Sequence, residues 1–253
     1  MERWAGKVAV VTGSSSGIGA SIATELVERG MIVVGLARRV ELVQELANKL
    51  SGCKGQLHAI KADVSKEEDV VEVFEWVREN LGAVHVLVNN AAACPFTIMS
   101  NMEREHYKKV QGCFDTNVMG PIMCTNEAIK LMKEKGIEDG HIININSVAG
   151  HYVSNSSGFH IYGATKHALR VITEGLRREL VQAKSKIRTT SISPGYVDTD
   201  FGKTSGVADF EKLVAGMPSI TTGDVTNTLI HVLEAPSSVQ IAEVIVRPLG
   251  EQF

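Results

Sequence analysis

No two cysteines of this chain form a C-x-x-C pair. The four present, Cys53, Cys94, Cys113 and Cys124, are spread along the sequence. That spacing points to reduced, buried thiols, and to neither a disulfide framework nor a metal site. An excess of one charge is also missing. The 26 basic and 29 acidic side chains are interspersed and leave a formal net charge of −3. With no basic stripe, no nucleic-acid partner is expected; with no acidic tail, no disordered arm is expected. The opening MERWAGKVAV carries no apolar signal region, and no apolar run approaches membrane length. A soluble, cytoplasmic chain with no membrane span is expected. Repeats, low-complexity stretches and linkers are absent as well, so residues 1–253 read as a single domain. The glycosylation match at Asn155 and Ser157 matters only in a secreted chain and is read as coincidence.

What is present is a regular alternation. KVAVVTG, MIVVGLA, QLHAIKAD, VHVLVNNA, HIININS, IRTTSISPG and AEVIVRP are short runs rich in Val and Ile. Continuous apolar strands suit a sheet covered on both faces. Between them IGASIATELVERG, VELVQELANKL, EEDVVEVFEWVRENL and HALRVITEGLRREL repeat apolar residues at helical spacing. Gly30 is expected to stop the first helix, and Ser65 to open a capping box ahead of Glu67 and Glu68. Strands alternating with helices predict an α/β protein with a doubly wound, seven-stranded parallel sheet and helices on both faces. The Gly-rich stretch 198–220 is expected to be a mobile substrate loop.

The first run leads straight into TGSSSGIG, with glycines at 13, 17 and 19 and a helix beyond. Glycine lets the backbone turn sharply and approach a phosphate, and the helix N-terminus offers free N–H groups to it. Placed after the first strand, this is the dinucleotide-binding turn of a Rossmann fold, drawing on Gly13, Ser15, Ser16, Gly17, Ile18 and Gly19. The second strand lacks the acid that would bind a ribose 2′-hydroxyl. Ala37 stands in its place, followed by Arg38 and Arg39. Guanidinium groups suit a 2′-phosphate, so NADP(H) is expected as the cofactor, with Arg38 ahead of Arg39 as its partner.

Further along, YGATK sets Tyr162 and Lys166 one helical turn apart. An ammonium beside a phenol favours the phenolate and lowers the phenol's pKa, which makes an acid/base catalyst.

With these residues in place, the chain resembles the classical short-chain dehydrogenases/reductases over nearly its whole length. TGSSSGIG is similar to the family's glycine turn, NNAA at 89–92 to its N-N-A-G, and PGYVDT to its P-G-x-V-x-T. The resemblance implies that Asp63 and Val64 contact the adenine, that Asn90 and Ala91 floor the cofactor site, and that Pro194, Gly195, Val197 and Thr199 hold the nicotinamide carboxamide. It further implies a catalytic set of Asn117, Ser147, Tyr162 and Lys166. Tyr162 exchanges a proton with an alcohol or carbonyl substrate, and Ser147 holds the substrate oxygen. Lys166 stabilises the phenolate and holds the ribose. Asn117, at a helix break, holds a water linking Lys166 to solvent. Pairing of the helices after Asn117 and Tyr162 into a homodimer or homotetramer is implied too.

Two departures stand out. Ala92 replaces a glycine, and Ser147 and Tyr162 are fifteen residues apart, about two more than is usual in the family. The intervening segment is expected to bulge over the site. His151 and His160 flank it and are left out of the site. Cys94, Pro95, Phe96, Phe201, Phe210 and Met217 either line an apolar pocket or pack the core. A narrower resemblance, carried by MERW, GLAR, EDGHIININSVAGH and IVRP, is to the insect farnesol-dehydrogenase-like group and its vertebrate relatives. It implies an NADP-dependent oxidoreductase acting on an apolar alcohol such as farnesol. A hydroxysteroid dehydrogenase or carbonyl reductase is the alternative within the family. A catalytically idle NADP(H)-binding sensor or scaffold is the alternative outside it.

Overall fold

Each apolar run becomes a strand. These are β1 (Val8–Thr12), β2 (Ile32–Ala37), β3 (Gln56–Lys61), β4 (Val86–Asn89), β5 (His141–Ile145), β6 (Arg188–Pro194) and β7 (Glu243–Val246). The computed structural model describes residues 1–155, 157–202, 206–207 and 210–251, apart from the side chains of Glu211 and Leu213. The strands form one sheet in the order β3-β2-β1-β4-β5-β6-β7, and every pairing is parallel. The helices are α1 (Gly17–Glu28), α2 (Val40–Lys49), α3 (Glu67–Asn80), α4 (His106–Phe114), α5 (Gly120–Glu134), α6 (His160–Gln182), α7 (Phe210–Val214) and α8 (Thr222–Glu234).

Side chains alternate across the pleat, and both sides of the sheet are covered. Ala9 and Val11 of β1 pack with Ile22 and Leu26 of α1 and Leu229 of α8. Val8 and Val10 pack on the other face, with Phe74 of α3 and Leu131 of α5. This is why the central strands read as unbroken apolar runs. Full burial of each of the Val, Ile, Leu and Phe side chains is worth about 1.5–3 kcal/mol. The amino terminus is held to α8, where the Trp4 indole donates to the Leu233 carbonyl at 2.8 Å.

Gly30 follows the end of α1 with φ +89°, as expected of a helix stop. Ser65 does not cap α3. Lys66 is the N-cap residue and makes no side-chain cap bond. The Ser65 hydroxyl donates instead to Asp63 Oδ1 at 2.7 Å, and Asp69 reaches back to accept from the Asp63 amide at 2.7 Å. The helix begins one residue later than a serine-led box requires. A reciprocal box does form at α8, between Thr221 and Asp224. Nor is there a true break at Asn117: α4 runs into α5 through a π-helical turn, Asp115–Met119. Among the described residues, no helix is long and apolar enough to cross a membrane.

Candidate active site

The winding of the sheet reverses between β1 and β4, which opens a crevice beyond the carboxyl ends of the strands. A cleft of about 2290 Å³ occupies it. That exceeds the roughly 300–1,000 Å³ of a drug-sized pocket and leaves room for a dinucleotide and a second molecule.

At one end the glycine turn is packed as its sequence requires. Gly13 has φ +69°, and a methyl group there would stand 2.8 Å from Ala91 Cα. A methyl group on Gly19 would collide with the Gly13 carbonyl. The turn is tied to β4 by two residues. Thr12 Oγ1 accepts from the amides of Asn90 and Ala91, each at 2.9 Å. The Asn90 side chain donates back to the carbonyls of Thr12 and Gly13. Asn90 thus acts on the cofactor end through the turn. Ser16 caps α1 without using its side chain, and no acid lies in the first turn. The positive helix end is therefore free for an anion. Arg38 and Arg39 stand exposed at the rim. Arg39 Nη2 reaches Ser15 Oγ at 3.5 Å and Ser16 Oγ at 3.4 Å, and so overhangs the turn. Asp63 and Val64 line the next stretch, Asp63 Oδ1 accepting from the Ser65 amide at 3.1 Å. Thr199 approaches across the opening to the position of Gly17, 3.6 Å from where a methyl group would lie. Ile18 lines this end too, and Pro194, Gly195 and Val197 line the cleft as well. These residues fit a phosphate-bearing dinucleotide.

At the other end α6 carries Tyr162 and Lys166 one turn apart. Ser147, in extended backbone just after β5, accepts from the Ala149 amide at 3.1 Å and is hydrogen-bonded to Tyr162. Lys166 is 3% exposed. Its ammonium donates to the Ile145 carbonyl at 2.9 Å. Burial lowers its pKa to about 8, partly offset by Cys113 and Cys94. The sequence suggested a depressed tyrosine, but in the protein alone burial raises the Tyr162 pKa, with Cys94 adding to the rise and Ser147 opposing it. The physical reason is desolvation, which penalises the phenolate more than its neighbours stabilise it. Tyr162 is only half-buried, so water in the open cleft tempers the rise. Burial also pushes the Cys94 thiol up to about 12. It is uncharged at neutral pH.

Asn117 is buried in the π turn. Its Oδ1 accepts from the Ala93 amide at 2.7 Å, and its Nδ2 donates to the Ala93 carbonyl at 2.8 Å and to Thr165 Oγ1 at 3.0 Å. The side-chain amide is committed to protein partners. It ties the segment after β4 to α6.

A family model described as short chain dehydrogenase matches residues 7–208. This chain belongs to the short-chain dehydrogenase family. The dehydrogenase is 46% identical over 254 residues to a farnesol dehydrogenase of Aedes aegypti, covering all of both chains. It is 44% identical to dehydrogenase/reductase SDR family member 11 of Gallus gallus, covering 98% of each. Among solved structures it is similar to an alcohol dehydrogenase from Thermococcus sibiricus complexed with 5-hydroxy-NADP. There the TM-score is 0.81, with 26% identity and 98% of both chains covered. The short-chain dehydrogenase is an oxidoreductase that acts on small molecules.

The cleft of this dehydrogenase is also lined by Cys94, Pro95, Phe201, Phe210 and Met217. Phe96 is not in that wall: it packs edge-on against Phe159, ring centres 5.6 Å apart, and Phe159 faces the cleft in its place. The segment between Ser147 and Tyr162 does border the cleft, through Tyr152, Val153, Ser154 and Asn155. Of the stretch expected to be mobile, residues 203–205 and 208–209 lie outside the described residues. His151 turns away to Ser193 Oγ, at 2.9 Å. His160 stands in the wall, its Nε2 2.9 Å from the Ser154 carbonyl oxygen. Sequence reasoning also passed over Thr12, Tyr152 and Glu251. Thr12 was signalled by its place at the head of TGSSSGIG; nothing local marks the other two. Among the described residues, no group of His, Cys, Asp and Glu side chains could hold a metal ion.

Proposed function

We propose that this short-chain dehydrogenase is an NADP(H)-dependent alcohol dehydrogenase or carbonyl reductase, and that its substrate is an apolar alcohol such as farnesol. The observation that carries the chemistry is the meeting of Ser147, Tyr162 and Lys166 at one end of a dinucleotide-sized cleft. When bound, the nicotinamide ring supplies the acceptor or donor of a hydride. The chain does the rest. Ser147 hydrogen-bonds the substrate oxygen and fixes its distance to Tyr162. Tyr162 takes the alcohol proton as the phenolate in oxidation, and as the phenol gives it to the carbonyl oxygen in reduction. The Lys166 charge favours the phenolate at that moment and so opposes the burial that raises its pKa. Asn117 holds the floor of the site in register with α6.

Arg39 above Ser15 and Ser16, with Arg38 beside it and Ala37 where an acid would stand, supports NADP over NAD. The NADP-type ligand named for the Thermococcus relative points the same way. The apolar wall of Phe201, Phe210 and Met217 and the name of the Aedes relative support a farnesol-like substrate. We further infer that residues 1–253 act as one catalytic domain in the cytoplasm, as a homodimer or homotetramer. Its contact would be the faces of α5 and α6, which expose Ile122 and Val171.

The test is NADPH formation from NADP and farnesol, alongside geraniol, a hydroxysteroid and a simple secondary alcohol, with NAD as control. Turnover of farnesol with NADP is the expected result. Turnover of the other alcohols alone would discard the substrate and keep the enzyme. Tight NADP binding without any turnover would point first to a substrate outside this set and second to the idle sensor.

A further inference from the structure

The short tail after β7 lies against the active site and has no part in the chemistry above. Only 5% of the Glu251 side chain is exposed. A carboxylate so far from water needs partners. Its Oε2 accepts from Arg247 Nη1 at 3.2 Å, and its Oε1 accepts from the Tyr196 amide at 3.4 Å. The Arg247 guanidinium lies over the Tyr152 ring, 5.8 Å from its centre. The tail is also packed hard on the turn after β6. A methyl group on Gly195 would come within 2.7 Å of both Glu251 Oε1 and Pro248 Cδ. The loops that follow β5, β6 and β7 therefore meet around one carboxylate. Tyr152, Gly195, Tyr196 and Glu251 all face the cleft there.

We propose that Glu251 is a positioning residue of the active site. By holding the Tyr196 amide, it fixes the turn at residues 194–197 in the conformation that receives the nicotinamide end of the dinucleotide. This rests on the role given to that turn under the proposed function. The physical reason is preorganisation. The turn is already held by the Gly195 amide on the Val246 carbonyl at 2.7 Å and by the Ile220 amide on the Tyr196 carbonyl at 3.0 Å; Glu251 adds the bond to the Tyr196 amide, and a turn ordered before binding spares the dinucleotide that cost. The adenine end, held by the glycine turn and the arginines, gains nothing from Glu251.

Calorimetric titration of the full chain with NADPH and with adenosine 2′,5′-bisphosphate, which has no nicotinamide end, tests this. Glu251→Ala is expected to bind NADPH about tenfold more weakly and the bisphosphate unchanged. Glu251→Gln keeps an acceptor oxygen for the Tyr196 amide and is expected to recover most of that loss. Unchanged NADPH affinity in Glu251→Ala would overturn the proposal and leave the function standing. Equal weakening of both ligands would overturn it as a general loss of structure. A Gln variant as weak as the Ala variant would overturn the amide contact as the route. Wild-type protein that binds both ligands equally well would overturn the role of the turn itself, and the proposal with it.

Discussion

The Lys166 ammonium lies over the face of the Tyr162 ring, 5.6 Å from its centre, and at the same time donates to the Ile145 carbonyl at 2.9 Å. One side chain thus links α6 to the end of β5 and sets a positive charge against the phenol. Lys166 is buried and Tyr162 half-buried, and desolvation opposes the charged form of each in the protein alone.

Tyr162→Phe removes the proton-exchanging hydroxyl and keeps the ring that packs at 6.0 Å from Phe201. Turnover is expected to fall by about 10³-fold or more, with NADPH affinity within about twofold of wild type. Steady-state kinetics and a binding titration check this. Full activity in the variant would sink the mechanism.

The Lys166 pKa gives stability a pH dependence. Its folded value is about 8 against an ordinary 10.5. Between those values the unfolded chain holds more protons, so stability rises with pH across that window and the penalty is fully present below it. Urea unfolding at about pH 7 and about pH 10 is expected to show a rise of about 2–3 kcal/mol that Lys166→Met lacks.

Arg39 reaches the hydroxyls of Ser15 and Ser16 over the glycine turn. Arg39→Ala is expected to weaken NADP binding by about ten- to hundredfold and NAD binding hardly at all. An unchanged ratio of the two affinities would refute the assignment of the 2′-phosphate to this loop. Arg38→Ala, measured beside it, ranks the two arginines.

Thr12 Oγ1 accepts from the two amides that follow β4, those of Asn90 and Ala91. Thr12→Val keeps the shape and strands both donors, at a cost of about 1–3 kcal/mol. Thr12→Ser is expected to retain wild-type stability within about 0.5 kcal/mol. Chemical unfolding of the three proteins decides it.

Residues adjacent in sequence made most of the fold legible. VAVVT and IVVGLA name their strands because both faces of the sheet are covered, and a doubly buried strand needs apolar residues at every position. The helices announced themselves by periodicity. The Ser65 box misled because the run Glu67, Glu68, Asp69 offers several candidate partners, and the choice among them turns on the loop at Asp63. Phe96 was readable as apolar but not as inward or outward, since its direction depends on Phe159, far along the chain.

What the sequence by itself determined is the set of contacts within one turn or one strand: the glycine turn, the pairing of Tyr162 with Lys166, the alternation of strand and helix. These depend on backbone geometry over a few residues. Tertiary structure alone decided the rest. Burial, a property of the whole assembly, raised the tyrosine's pKa and lowered the lysine's. Distant segments brought Asn117 to Ala93, and Glu251 to Tyr196. Such contacts carry no local signature, because the groups they join become neighbours only once the sheet has closed the crevice around them.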